Sequence, residues 1–269
     1  MRQCKRMKSN DLFGLAELFI WVFVILVCSI ALSEEVVYYP VKSVTDYKEK
    51  SKYAEILSKT KRKVTGYSRS TNAHETTHMI HAELRMKNNS SGHHNSFYIV
   101  NTGAIDFPEP KIKKNDVAKY IPQALRGSRY STYITKAQVW NDQPLYLVDE
   151  WIAYLNGAEV AIEEVETGRY RGRRYCEVPG VVEFSVYCTA LCMAIKDLDK
   201  SYWYNENIRF KLFVIEQLKR SKEIFEKGTS MRCFQGRKQY KYLETWKTSK
   251  ECQPLKQFIH QELDKAWAI

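Results

Sequence analysis

The sequence predicts an α+β fold, mainly helical, with one small sheet or hairpin beside its most informative helix. Apolar residues recur at helical spacing in several long segments after Tyr47. Only one stretch, residues 97–107, reads as two short strands around a turn, Asn101-Thr102-Gly103. No repeat or long linker divides the chain, so 269 residues form one large core without needing metal or cystine support. The expected organisation is a leader over 1–33 followed by a single domain over 34–269.

In the leader, Arg2, Lys5, Arg6 and Lys8 precede an apolar run from Leu18 to Leu32, short of the ~20 residues of a membrane span. Ala31-Leu32-Ser33 sets small residues where a signal peptidase reads, so cleavage after Ser33 is expected, with an uncleaved N-terminal anchor as the alternative. Either way the basic end stays inside and the rest faces out, giving an exported chain that is secreted, periplasmic or membrane-anchored. A lipoprotein reading of Cys28 fails because Ile25-Leu26-Val27 places a branched residue where a small one is wanted.

The net charge of +11 is scattered among acids, and with export this argues against nucleic acid as a partner. The densest basic cluster, Arg169, Arg171, Arg173 and Arg174, reads as a solvated turn or as a docking point for an anionic polymer. Of the cysteines after the leader, Cys233 and Cys252 flank a polar C-terminal segment and are the expected cystine. Cys188 and Cys192, four apart in an apolar run, are expected as buried thiols; Cys176 completes the set.

Taken in order, Tyr47, Tyr53, Ile56 and Leu57 predict a first helix, followed by a basic turn over Lys59–Lys63. Ser70 or Thr71 is placed to cap a second helix to Met86, with Ala73, Thr77, Ile80 and Leu84 on its buried side and His74, His78 and His81 along the adjacent stripe. Strands follow at Phe97–Val100 and Ala104–Phe107, either a core hairpin or an edge for an extended peptide. Helical patterns then run from Asp116 to Leu125, interrupted by Pro122, and from Tyr130 to Trp140. A helix over Leu145–Glu163 sets Tyr146, Glu150, Ala153, Tyr154 and Gly157 on one face. Val181–Leu198, Glu206–Lys227 and Pro254–Trp267 complete the scaffold.

The chemistry centres on His74-Glu75-Thr76-Thr77-His78, an HExxH pattern. Residues four apart stand one helical turn above each other, so two imidazoles reach one zinc at ~2.0–2.1 Å while Glu75 meets the metal-bound water as general base. A third ligand is needed. His81 cannot supply it, because three ligands on one straight helix do not converge on an ion, and the Gly and His of the metzincin pattern are absent. Glu150 is the preferred ligand: a carboxylate among Trp151, Ile152, Tyr154 and Leu155 is costly to bury without a cation. Glu183, Glu159 and Glu163 are the rivals.

Glu150, followed three residues later by the small Ala153 on a helix crossing the HExxH helix, resembles the third-ligand helix of the gluzincin metallopeptidases. The likeness covers these two helices, and their separation of roughly seventy residues is wider than that pattern. It implies a zincin-like fold in which His74, His78 and Glu150 bind Zn2+ and Glu75 takes the proton of the attacking water. Asp149 is a candidate to orient a ligating His, and His81, Tyr154, Tyr130 and Tyr133 are candidates for a neighbouring support or for the oxyanion donor. The expected activity is peptide-bond hydrolysis on a peptide or protein. The alternatives are a membrane-tethered, catalytically inactive binding protein and a zinc hydrolase of non-peptide amides. Neither cleavage preference nor oligomeric state has a signature in the sequence.

Overall fold

In the computed structural model, residues 35–88, 94–127, 129–170, 178–206 and 208–263 are described. The chain divides into residues 1–36 and a unit Val37–Ile269, to which all that follows belongs. The leader expected over 1–33 lies outside the described residues. Helices α1 (Lys52–Ser58), α2 (Arg69–Asn88), α3 (Tyr146–Glu166), α4 (Val178–Leu198), α5 (Ile208–Ser230), α6 (Arg237–Thr248) and α7 (Gln253–Glu262) surround one antiparallel hairpin of β1 (His94–Ile99) and β2 (Gly103–Pro108). The domain is therefore mainly helical with one small sheet.

Local chemistry decides where the elements start. The Ser51 hydroxyl accepts the Ala54 N–H at 3.1 Å, so α1 begins at Lys52 and not at Tyr47. Ser68 plays that part for α2, accepting from Thr71 N at 3.2 Å, two residues earlier than the expected cap. The inward face of α2 is unusually polar: His74, Thr76, Thr77 and His81 are buried beside Ala73 and Ile80. Such a face calls for partners for its nitrogens and hydroxyls: Asn156 of α3 donates to Thr77 Oγ1 at 3.3 Å, and Thr76 Oγ1 accepts from Val64 N at 3.2 Å.

β1 and β2 pair from His94↔Pro108 to Ile99↔Gly103. Asn101, at φ 63°, and Gly103, at φ 137°, turn the chain. A Cβ on Gly103 would stand 2.5 Å from the Tyr39 carbonyl, so only glycine lets Tyr39 approach. Tyr39 and Ala104 exchange both backbone hydrogen bonds at 2.8 Å and cover the outer edge of β2. At the outer edge of β1, Asn156 of α3 donates to Tyr98 O at 2.9 Å and accepts from Val100 N at 3.3 Å. All of β1 except His94 is buried, so the hairpin is a core element.

Between β2 and α3 the two expected α-helices are replaced by tighter and wider turns. Residues Lys114–Tyr120, Gln123–Leu125 and Gln138–Trp140 are 3₁₀ turns, and Tyr130–Lys136 is a π-helical turn. Pro122 cannot continue a helix and disfavours helical geometry in the residue before it, which accounts for the first break.

Helix α3 is central, packing on α2, α4, α5 and β1. Leu147, Val148, Trp151, Ile152 and Leu155 are fully buried, and the Trp151 indole donates to Ser221 Oγ of α5 at 3.0 Å. Helix α4 has the length and hydropathy to cross a membrane, but 83% of that stretch is buried within the domain, as a second core helix. Cys188 and Cys192 on it are buried free thiols, pushed up by burial. The expected Cys233–Cys252 cystine is not formed. Cys233 is exposed in the turn Arg232–Phe234, whereas Cys252 is buried with Sγ 3.8 Å from Thr245 O, and the unforeseen helix α6 lies between them. Arg169 pairs with Glu49 at 2.9 Å; Arg171, Arg173, Arg174 and Cys176 lie outside the described residues.

Asn156 is fully buried and also accepts from Arg220 Nη2 at 2.8 Å. Asn156→Ala would leave the buried Tyr98 C=O and Val100 N–H unpaired, a loss of about 2–4 kcal/mol. Urea unfolding should show it as a lower midpoint; a loss under about 0.5 kcal/mol would mean that the hairpin is held without this residue.

Candidate metal centre

One turn of α2 and the first turns of α3 bring three donors together. His74 Nε2 and His78 Nε2 are 3.2 Å apart, and Glu150 Oε2 lies 3.7 Å from the first and 3.5 Å from the second. Ligands at ~2.0–2.2 Å from a four-coordinate ion stand about 3.3–3.6 Å apart, so these distances match one face of a tetrahedron. Glu150 is buried, yet its Oε2 has no hydrogen-bond partner among the described residues, nor does His74 Nδ1. An orphaned carboxylate oxygen facing two imidazole nitrogens is costly without a cation and fits one. Burial, reinforced by the charge of His78, holds His74 well below its ordinary pKa, in the neutral form that ligates.

Asp149 supports the triangle from behind. Its Oδ1 meets His78 Nδ1 in a short hydrogen bond and lies 3.2 Å from His81 Nδ1, while Oδ2 accepts from Arg85 Nη1 at 2.5 Å. Burial opposes its charge, but His81 and His78 outweigh that and hold Asp149 well below the usual carboxylate range. Conversely, burial lowers His78, yet Asp149 beside it raises it well above normal. A carboxylate on Nδ1 orients the ring and leaves Nε2 for a metal. His78, His81 and Asp149 form a second possible ligand group. There Asp149 bonds directly to His78 and is already countered by Arg85, so the group is a support and not an ion site. His81 is fully buried against Phe97, out of substrate reach.

The rival carboxylates are engaged elsewhere. Glu183 accepts from Arg129 Nη1 at 2.6 Å, Glu159 pairs with Lys52 and Arg220, both at 2.6 Å, and Glu163 accepts from Lys52 N at 2.9 Å. Glu75, next to His74, is half-buried and makes no hydrogen bond or ion pair among the described residues. The Tyr154 ring stands edge-on to His74 at 4.5 Å and stacks on Phe184 at 4.8 Å. A Cβ on Gly180 would fall 2.3 Å from that ring, so the glycine is what admits Tyr154. The Tyr154 hydroxyl accepts from Arg129 Nε at 3.2 Å and lies 3.3 Å from the Tyr133 hydroxyl. Burial, then the charge of Glu150, pushes the Tyr133 hydroxyl up. Tyr130, on the same turn, has its ring under Arg126 at 5.0 Å.

Arg85, Arg129 and Glu109 are the parts that sequence reasoning missed. Arg85 had a signal: it continues the stripe of His74, His78 and His81 along α2. Arg129 and Glu109 had none, since their partners come from distant turns. Comparison with protein-family models, with curated proteins and with solved structures finds no match.

If Glu150 completes the site, Glu150→Ala should lower zinc affinity by orders of magnitude, whereas Glu183→Ala should leave the metal in place. Chelator competition on the folded variants measures both, and full zinc occupancy in Glu150→Ala would reassign the ligand.

Proposed function

We propose that the chain is a zinc-dependent metallopeptidase of the gluzincin kind, with His74, His78 and Glu150 as ligands and Glu75 as general base. The observation that carries this is the ligand-spaced triangle of His74, His78 and Glu150, built from an HExxH helix and a crossing helix, with one orphaned carboxylate oxygen inside it. Zinc bound there supplies Lewis acidity, which acidifies a water and polarises a carbonyl.

The chain's own groups supply the rest. Glu75, unpaired beside His74, takes the proton of the attacking water at its carboxylate and returns it to the leaving amine. Asp149 holds His78 with Nε2 turned to the ion. Arg129 only donates, so of the Tyr154 and Tyr133 hydroxyl hydrogens one lies between the two oxygens and one remains. That hydrogen is the donor for the oxyanion of the tetrahedral intermediate. Export through the leader over 1–33 belongs to the same reading, with peptides or proteins outside the cytoplasm as substrates.

Glu75→Gln should keep zinc and the fold while losing hydrolysis by roughly 10²–10⁴-fold or more, because an amide cannot accept the water's proton. Elemental analysis and turnover on a mixed peptide library, wild type beside variant, measure this. Undiminished turnover in Glu75→Gln would refute the mechanism. In the same assay Tyr133→Phe or Tyr154→Phe should reduce kcat about 10²–10³-fold with zinc retained; normal kcat in both would remove the tyrosine pair from the reaction.

A further inference from the structure

Two clefts lie side by side along α2, and the first of them reaches the candidate metal centre. One, of about 310 Å³, is lined by His78, Glu150 and the stacked rings of Trp140 and Tyr146; the other, of about 240 Å³, by Met86, His94 and Glu109. Arg85 lines both and stands in their common wall. It follows His78 by seven residues, two helical turns or about 10 Å along the axis.

The hydrogen bonds of Arg85 are one-sided. Nη1 serves Asp149 Oδ2 at 2.5 Å and Asn95 Oδ1 at 3.3 Å, whereas Nε and Nη2 have no partner among the described residues. The side chain is 22% exposed, so those donors are not sealed in the core. The acids of the same walls are committed. Asp149 holds His78 and Arg85, Glu150 belongs to the ligand triangle, and Glu109 accepts from Asn95 Nδ2 and from Leu145 N at 3.0 Å. What the clefts leave unmatched is the outer edge of a guanidinium.

We infer that Arg85 is a substrate-binding residue that receives a carboxylate of the peptide on its Nε–Nη2 edge. The inference rests on the metallopeptidase reading for the nature of the ligand. A planar fork of N–H donors matches a carboxylate in two parallel hydrogen bonds. At ~3.3 Å per extended residue, the two-turn separation puts that carboxylate within about three residues of the scissile bond. It is either the C-terminal carboxylate of a short peptide or an Asp or Glu side chain. Its pairing with Asp149 makes Arg85 rigid, so little side-chain freedom is lost on binding.

The test is binding, measured by titration calorimetry on the zinc-loaded Glu75→Gln chain, which cannot consume the ligand. The probes are one short peptide sequence in three forms: amidated and neutral, with a free C-terminal carboxylate, and amidated with a single Glu moved through the positions. One carboxylate form should bind at least tenfold more tightly than the neutral peptide, and which form does so identifies the source. Arg85→Met should abolish that preference while binding the neutral peptide as before. Arg85→Lys, which keeps a cation for Asp149 but not the fork, should weaken the preference and serves if Arg85→Met fails to fold. Equal affinity for all three forms, or a preference that survives both Arg85 variants, would overturn the assignment. Wild-type chain that holds zinc but cleaves no peptide would refute the metallopeptidase reading, and the carboxylate preference in binding would still stand or fall by itself.

Discussion

Two adjacent carboxylates, Asp149 and Glu150, are buried where the central helix begins, and the rest of the domain is arranged around that burial. An uncompensated carboxylate in the interior costs several kcal/mol, and here there are two on consecutive residues. Asp149 is balanced within the chain by Arg85 and by the imidazoles of His78 and His81. Glu150 has no such set of hydrogen bonds: its Oε2 accepts none among the described residues and faces the ring nitrogens of His74 and His78 at 3.7 and 3.5 Å. The fold thus surrounds one acid with hydrogen-bond partners and leaves the other facing two imidazoles, in a group that could hold a metal ion.

That division explains the neighbouring structure. Helix α2 has a polar inward face because its partners are acids and amides of α3: His74 and His78 meet Glu150 and Asp149, and Thr77 accepts from Asn156 at 3.3 Å. The hairpin is locked on the same helix through Asn156 and on its other side through Tyr39. Glu109, at the end of β2, accepts the N–H of Leu145 just ahead of α3, where no side chain of the helix itself caps it. Burial pushes Glu109 up to about 7, and Leu145 and Asn95 restrain the shift. Hairpin and helix start are therefore tied by one side chain within two hydrogen bonds of Arg85.

On the far side of the triangle, Tyr154 fills the gap that Gly180 leaves between α3 and α4, and the π-helical turn brings Tyr133 to it. A π-turn widens the spiral and re-aims side chains, which is why such turns recur at functional sites. Here it brings the Tyr133 hydroxyl to that of Tyr154, whose ring stands against His74, by contacts between segments far apart in the chain.

Spacing along a single helix was enough to pair His74 with His78, since their relation depends only on the helical repeat, and the cost of burying a carboxylate among large apolar residues pointed to Glu150, which the fold brings to them. The long apolar runs gave α3 and α4 for the same reason: periodicity is local. The Tyr130–Trp140 segment read as an α-helix and is a π-turn with a 3₁₀ turn, because packing of Ile134 and the Lys114 contact to its carbonyl override local preference. Cys233 and Cys252 looked paired because residues 233–252 looked empty of structure, yet α6 forms there and buries Trp246. Only the tertiary structure decided which acids are balanced and which is orphaned. That depends on where Arg85, Arg129, Lys52 and Arg220 reach in space, and reach across helices is not a property of any segment alone.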